Sequence, residues 1–212
     1  MKKVFCAYCG KLVSKPEREH VFPRCLYPPS KGNSKIQRLT IPACGECKRG
    51  WSEDEAHFRN MLVLAGEHPN NVRKELWKST VLRSFTELDG FRRRQDLITR
   101  LKTIKLADKE NLMIFPGEDE RVMRVIRKVI RGLCYYHKLM SPVSDDQVWA
   151  DILKYKIPPE LLNQLDCHHR EQDIVEYRYQ IMNEDGFNSA WYITFFERVT
   201  FIGLVSTEHF VS

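Results

Sequence analysis

Two pairs of cysteines constrain the fold of this chain more than any other feature. Cys6 and Cys9 form the first C-x-x-C pair, and Cys44 and Cys47 form the second. The two intervening residues allow both sulfurs of one tight turn to reach the same metal ion, which lies about 2.3 Å from each sulfur in a zinc site. Four thiolates complete a tetrahedral site. The sequence therefore predicts a structural zinc ion that joins two distant parts of the chain.

The other cysteines and the start of the chain indicate the cellular compartment. Cys25, Cys134 and Cys167 have no partner at ligand spacing and are expected to be free thiols. Only Val4 and Phe5 precede the first cysteine as apolar residues, whereas a signal peptide needs about 7 to 15. No apolar run approaches the roughly 20 residues that a membrane span requires. We therefore expect a cytoplasmic protein with no membrane partner.

Charge is distributed unevenly along the chain. Residues 1–105 hold 22 Lys and Arg against 11 Asp and Glu, whereas residues 106–212 hold 12 against 17. A basic surface attracts nucleic acid whatever its sequence, so the first half is expected to face a polyanion. Because the second half is acidic, we expect it to pack on the first half, to bind a protein partner or to form a homodimer, and not to bind DNA.

Between the two cysteine pairs, the sequence predicts two strands and then a helix. Residues 18–22 read Arg-Glu-His-Val-Phe, a strand-like run that Pro23 ends because proline cannot donate to a β-ladder. Residues 38–42 are also β-prone and lead into the second cysteine pair. Ser52 followed by Glu55 has the pattern of a capping box, which predicts a helix start. The local plan is a hairpin, a loop and a helix held by zinc.

The ordered combination of these segments resembles the HNH endonucleases, the ββα-metal nucleases, in their four-cysteine zinc-binding form. The matching segments are CAYC at residues 6–9, REHVFP at 18–23 and LTIPACGECKRGWS at 39–52. The resemblance covers about residues 4 to 60. It implies hydrolysis of DNA phosphodiester bonds with one divalent ion, Mg²⁺ or Mn²⁺. Many proteins of this family act in phage biology or antiphage defence, which is the role that the resemblance suggests.

The resemblance also implies a role for three residues. Glu19 binds the catalytic divalent ion, His20 is the general base, and Lys48 stands at the position of the second metal ligand. An imidazole with a pKa of about 6.5 suits deprotonation of water at neutral pH. On a regular strand Glu19 and His20 point to opposite faces, so both serve one site only at a strand end or bulge. Four basic residues are expected to contact nucleic acid: Arg18, Arg24, Lys48 and Arg49.

Lys48 departs from the family pattern, in which an asparagine typically follows the last cysteine. An ammonium has no lone pair for a metal ion and repels it by like charge. Three interpretations stay open: Lys48 inactivates the site, an oxygen of Ser52, Glu53 or Glu55 replaces the ligand, or Lys48 itself supplies the positive charge. The alternative function is a zinc-dependent nucleic-acid-binding module that does not cleave. A third possible function is that of a zinc-stabilised protein-interaction domain. The acidic second half of the chain is the feature that favours it.

The composition shifts along the chain predict three regions. Residues 1–66 form the zinc-binding nuclease module, residues 67–106 a basic helical connection, and residues 107–212 an α+β accessory domain. Within the connection, helices are predicted over residues 70–85 and 90–106. The predicted fold class is therefore α+β, with an N-terminal ββα-metal module, helices and a C-terminal antiparallel β-meander.

Side-chain patterns in the helices and strands complete the interpretation. Residues 120–139 repeat apolar residues at helical spacing, and their basic residues, among them Lys128, are expected at the margin of that apolar stripe. Residues 174–205 read as strands joined by short turns, which predicts the meander. His57 lies one helical turn after Glu53, where an exposed helical histidine is the commoner outcome and a ligand role the rarer one.

Overall fold

The structure, a computed structural model, describes residues 3–32, 38–65, 70–86, 90–100, 102–105, 111–114, 119–155, 157–165, 167–171 and 173–210. Helices and antiparallel strands are both abundant in these ranges, and the strands of the main sheet follow the longest helix in the chain. This arrangement confirms the predicted mixture of helix and sheet. Every helix in the described ranges is too short or too polar to cross a lipid bilayer.

The N-terminal part contains two short antiparallel strand pairs and three helices. In chain order, its elements are β1 (Val4–Phe5), β2 (Leu12–Val13), β3 (Glu17–His20), α1 (Pro29–Gly32), β4 (Thr40–Ala43), α2 (Gly45–Arg49) and α3 (Ser52–Leu64). Strand β1 pairs with β2, and β3 pairs with β4 so that His20 faces Thr40. The two strands predicted between the cysteine pairs are therefore confirmed, and α3 is the predicted helix after them.

The middle of the chain is helical and ends in a hairpin. Its elements are α4 (Asn71–Leu76), a π-helical segment (Trp77–Val81), α5 (Leu82–Thr86), α6 (Gly90–Arg100), β5 (Lys102–Lys105) and β6 (Asn111–Ile114). The helix predicted over residues 90–106 was wrong beyond Arg100, because Lys102–Lys105 pairs with Asn111–Ile114 as an antiparallel hairpin. The β-branched pair Thr103 and Ile104 favours that extended backbone.

The C-terminal part places one long helix before a five-stranded sheet. Its elements are α7 (Glu120–Tyr136), β7 (Val148–Ile152), α8 (Pro159–Leu162), β8 (Cys167–Glu171), β9 (Val175–Ile181), β10 (Phe187–Phe195) and β11 (Val199–Ser206). The strand order is β7-β11-β10-β9-β8, and all neighbours are antiparallel. The predicted C-terminal antiparallel meander over residues 174–205 is confirmed, and β7 and β8 extend it at its two edges.

Helix α7 forms because its apolar residues recur at helical spacing and its start is capped. The Asp119 side chain accepts hydrogen bonds from the backbone N–H groups of Arg121 and Val122, which satisfies two donors of the first turn. The apolar stripe along α7 is buried throughout and consists of Val122, Val125, Ile126, Val129, Ile130 and Leu133. Burial of this stripe against the sheet stabilises both elements.

The buried side chains of the N-terminal part and of the sheet belong to one hydrophobic cluster. Phe22, which follows β3, has its ring centroid 5.6 Å from that of Tyr177 on β9. Phe58 on α3 meets Phe195 on β10 edge to face, with centroids 5.2 Å apart. Aromatic pairs of this geometry add to the free energy of apolar burial. The N-terminal part, which contains both cysteine pairs, is therefore packed directly on the C-terminal sheet.

Gly203 on β11 marks the closest approach of the sheet to α7. A Cβ atom at this position would overlap Cδ1 of Ile130 and lie 3.1 Å from the carbonyl oxygen of Trp149. Because Ile130 is fully buried, its side chain has no free volume to move into. We expect Gly203→Ala to lower the free energy of unfolding, measured by urea denaturation, by about 1 to 3 kcal/mol.

Gly50 provides the matched control for that substitution. A Cβ atom there meets nothing nearer than the carbonyl oxygen of Glu46 at 3.6 Å, which is ordinary contact. Gly50→Ala is therefore expected to change stability by no more than about 0.5 kcal/mol. Equal effects of the two substitutions would contradict the close packing of α7 on β11.

Candidate functional site

The four cysteines of the two C-x-x-C pairs converge in the structure. Their sulfur atoms all lie within 4.8 Å of one another, and the sulfurs of Cys9 and Cys44 are 3.8 Å apart. Tetrahedral geometry with bonds of about 2.3 Å separates neighbouring sulfurs by about 3.8 Å. The cluster formed by Cys6, Cys9, Cys44 and Cys47 can therefore hold a metal ion, and its all-sulfur ligand set fits structural zinc.

Local backbone structure brings each cysteine pair to the cluster. The first pair lies in the turn between β1 and β2, where Gly10 has a φ of +69° and donates its N–H to the carbonyl of Cys6 at 2.9 Å. The second pair begins α2, and the N–H of Cys44 lies 3.3 Å from the sulfur of Cys6. Hydrogen bonds of this kind stabilise negative charge on a sulfur ligand.

The remaining cysteines lie apart from this cluster. Cys134 is buried and Cys25 is half-buried, and both are free thiols as predicted. Burial raises the pKa of each of these thiols to about 12. The side chain of Cys167 lies outside the described residues, so the prediction for that thiol stays a prediction.

A buried ion cluster lies beside the β3–β4 hairpin. The ammonium of Lys128 donates to Oε1 of Glu19 at 2.6 Å, to Oε1 of Glu55 at 2.6 Å and to the carbonyl oxygen of His20 at 3.2 Å. Lys128 is completely buried, and its three N–H donors are matched by these three acceptors. The cluster thus joins β3, α3 and α7 at a single nitrogen atom.

This cluster corrects two predictions made from the sequence. Lys128 does not lie at the margin of the α7 stripe, because the hairpin covers that side of the helix. Gly132, one turn further on, lets the hairpin approach: a Cβ atom there would lie 3.3 Å from side-chain atoms of Ile41, Tyr8 and Val21. The capping box was also wrong, since Glu55 binds Lys128 and the α3 N-terminus has no side-chain cap.

His20 occupies the last position of β3, as its predicted role requires. The β3–β4 register is regular from Glu17 to His20, so Glu19 and His20 point to opposite faces of the hairpin. Glu19 points inward to Lys128, whereas the His20 ring is half-exposed and its Nδ1 is buried without a hydrogen-bond partner among the described residues. Burial, followed by the nearby charge of Arg38, lowers the pKa of His20.

Lys48 lies at the end of the short helix α2, and its ammonium pairs with Oε2 of Glu17 at 2.8 Å. The hydrogen bond and charge of Lys48 lower the pKa of Glu17. Of the three residues suggested as replacement oxygen ligands, Glu55 converges with Glu19 because both bind the Lys128 ammonium. Ser52 and Glu53 instead line a separate cleft beside α6.

The divalent ion implied by the resemblance does not fit these residues. Both carboxylates that converge, Glu19 and Glu55, are bound to Lys128, and Lys48 has no lone pair to offer. Magnesium also keeps several water ligands, whereas the position between the two carboxylates is closed to solvent and is already occupied by the Lys128 ammonium. The four cysteines predicted as zinc ligands therefore converge as expected. The residues predicted to hold the catalytic divalent ion do not form a site for it, because Lys128 binds their carboxylates.

The basic residues expected to contact nucleic acid lie around the hairpin. Arg18, Arg24 and Arg49 are exposed, and none of them lies within ion-pair distance of a carboxylate in the described ranges. Lys48 is half-buried and paired, as described above. Three of the four residues are thus available to an external anion.

A second polar region lies between α3, α6 and α7. It is a cleft with a volume of about 670 Å³, and its lining includes His57, Asn60, Arg92 and Arg121. His57 is buried, contrary to the exposed position expected from the sequence, and its Nε2 lies 2.8 Å from Oδ2 of Asp119. The pair of His57 and Asp119 joins α3 to the start of α7, and sequence reasoning did not identify this contact.

Comparisons of the whole chain with protein-family models, with curated proteins and with solved structures find no match. Functional interpretation therefore rests on the four-cysteine cluster, the hairpin and the ion cluster. Lys128 is the residue that sequence reasoning missed. The available signal was Gly132, four residues later on the same side of α7, which marks where another element approaches the helix.

The zinc-binding cluster predicts one zinc ion per chain. We expect Cys44→Ser to lose this zinc and to destabilise the N-terminal part by several kcal/mol, since structural zinc contributes about 10 kcal/mol or more in small zinc domains. Metal analysis by mass spectrometry and thermal unfolding provide the measurements. Cys25→Ser is the control, because its hydroxyl can replace the thiol that donates to the Glu55 carbonyl, and it should keep the zinc.

Asp119 predicts a specific loss of stability in acid. Burial opposes ionisation of its carboxyl, but the hydrogen bond and charge of His57, the charge of Arg100 and the backbone N–H of Val122 together outweigh burial and hold the pKa at about 2. Because the unfolded carboxyl has a pKa of about 3.9, ionised Asp119 contributes about 2 kcal/mol above pH 4, and this contribution disappears as the pH falls towards 2.

Urea unfolding of the wild type and Asp119→Asn at several pH values checks this expectation. Zinc loss in acid affects both proteins alike, so the difference between their free energies of unfolding isolates Asp119. We expect that difference to shrink below about pH 4. A difference that stays constant between pH 5 and pH 3 would exclude the proposed ionisation.

Proposed function

We propose that this chain is an endonuclease of the HNH type, in which a zinc-stapled ββα module hydrolyses phosphodiester bonds of DNA. The single observation that carries the proposal is the position of His20. Its half-exposed ring lies at the end of β3, at the opposite end of the hairpin from the cysteine cluster, and the ring forms no hydrogen bond with a described residue. A histidine so placed is available to accept a proton from water.

The surroundings of His20 suit an anionic substrate. Arg38, Arg24 and Lys128 all act on its ring by charge, whereas Glu19 is the carboxylate that opposes them. Burial and this positive surround lower the pKa of His20, which favours the neutral imidazole that a general base requires. A phosphodiester is the anion that such a surround attracts.

The proposed reaction uses His20 in one step. The imidazole accepts a proton from a water molecule as the water oxygen bonds to phosphorus. The bond between phosphorus and the 3′ oxygen breaks, and that oxygen takes a proton from solvent. A general base of this kind contributes about 10² to 10⁴ in rate. The exposed side chains of Arg18, Arg24 and Arg49 are proposed to hold the flanking phosphates.

The alternative is a zinc-dependent nucleic-acid-binding module that does not cleave. The observation that favours it is the state of Lys48, which is paired with Glu17 and has no metal-binding lone pair. In this alternative the exposed arginines bind phosphates and His20 performs no chemistry. Binding falls with salt in both cases, so only cleavage distinguishes them.

Cleavage of a supercoiled plasmid tests the proposal directly. We expect the zinc-loaded wild type to nick the plasmid and His20→Ala to do so at least about 100-fold more slowly, because the general base is lost. His209→Ala is the matched control, since His209 is an exposed histidine paired with Asp146 in the C-terminal part. It should cleave at the wild-type rate.

A third variant separates a broken catalytic site from a binding module. If the wild type binds DNA without cutting but Lys48→Asn gains cleavage that His20→Ala abolishes, the chain is an inactivated nuclease. If neither protein cuts while both bind DNA in a salt-dependent manner, the binding module replaces the nuclease proposal. Cleavage by His20→Ala at the wild-type rate would contradict the role of His20 as the general base.

A further inference from the structure

We infer that the ammonium of Lys128 is the resident cation of this centre and takes the place between Glu19 and Glu55 that a divalent ion would otherwise bind. Removing Lys128 should therefore create a divalent-cation site that the natural chain lacks. The statement about binding stands on geometry alone, and its consequence for cleavage rests on the proposed function.

The first step is the convergence of two carboxylates on one atom. Glu19 comes from β3 and Glu55 from α3, and each places Oε1 at 2.6 Å from Nζ of Lys128. Their side chains are nearly buried, with exposed fractions of 10% and 16%. Two carboxylates held this closely repel each other unless a cation lies between them.

The second step is the choice of that cation. Lys128 comes from α7, 73 residues beyond Glu55 and 109 beyond Glu19, and it is fully enclosed. Two carboxylates on one small ion are the usual protein contribution to a divalent-cation site. An ammonium satisfies the same oxygens through hydrogen bonds and needs no water ligands. The geometry therefore provides a cation pocket whose occupant is covalently part of the chain.

The third step connects the cation to His20. Nζ of Lys128 also donates to the carbonyl oxygen of His20 at 3.2 Å. Because Lys128 is completely buried, it does not touch substrate and is a positioning residue. It fixes the backbone from which the imidazole projects, so in the natural chain this anchoring needs no added divalent ion.

Manganese binding to the zinc-loaded protein tests the inference without DNA. Mn²⁺ competes poorly for thiolate ligands, so it leaves the cysteine cluster occupied by zinc. We expect Lys128→Ala to bind one Mn²⁺ with a Kd of about 10⁻³ M or tighter, measured by electron paramagnetic resonance. Its Tm should be below that of the wild type and should rise with Mn²⁺, whereas the wild type should show neither binding nor a Tm increase.

The double variant Lys128→Ala with Glu19→Gln is the matched control, because it removes one of the two carboxylate ligands. It should lose both the Mn²⁺ binding and the rise in Tm. Mn²⁺ binding by the wild type as tight as that of Lys128→Ala would overturn the inference, as would binding that persists in the double variant. If Lys128→Ala stays unfolded even with Mn²⁺, the result counts against a cation pocket there.

Cleavage assays keep the inference distinct from the proposed function. A wild type that cuts at the same rate with and without added Mg²⁺ or Mn²⁺ supports both. A wild type that cuts only with added divalent ion supports the nuclease and overturns the resident cation. Should no cleavage occur under any condition, the proposed function fails, and the Mn²⁺ measurements alone decide whether Lys128 occupies a cation pocket.

Discussion

A single buried ammonium determines how the parts of this molecule fit together. Moving a charged group out of water is unfavourable by several kcal/mol, and attraction to opposite charges offsets this only when the geometry satisfies every donor. Lys128 meets that condition with acceptors from β3 and α3. Any shift of α7 relative to the hairpin would leave a buried charge without a partner. The relative position of these three elements is therefore tightly specified.

The cysteine cluster and the ion cluster constrain different sides of the same hairpin. The cysteines hold the turn after β1 against the start of α2, at the end of the hairpin that contains Ala43. Lys128 holds the opposite end, next to His20. Arg131 adds a link, because its guanidinium donates to the backbone carbonyl of Tyr8 at 2.9 Å. The strand that presents His20 is thus fixed at both of its ends.

The parts of the fold that could be predicted depend on patterns close in sequence. Cysteine spacing, the alternation of the C-terminal strands and the stripe of α7 each act over a few residues. The convergence of the four cysteines, the antiparallel C-terminal sheet and the burial of the α7 stripe were all confirmed. Lys128 could not be placed because its partners lie 73 and 109 residues away and its neighbours on α7 are ordinary basic residues. Glu55 failed as a capping residue for the same reason, since a distant ammonium binds it more strongly than a backbone N–H.

The net charge of the two halves gives an incomplete account of where an anion can bind. The acidic half contributes the cations of α7, but these point towards the N-terminal part: Arg121 and Arg124 both pair with Asp54 on α3. These internal ion pairs offset part of their charge. Exposed positive charge lies on the hairpin, where Arg18 and Arg24 flank His20 in the sequence, and also on α6, where Arg92 and Arg94 are exposed. A polyanion held by Arg24 would therefore lie close to the imidazole, on which the Arg24 charge acts.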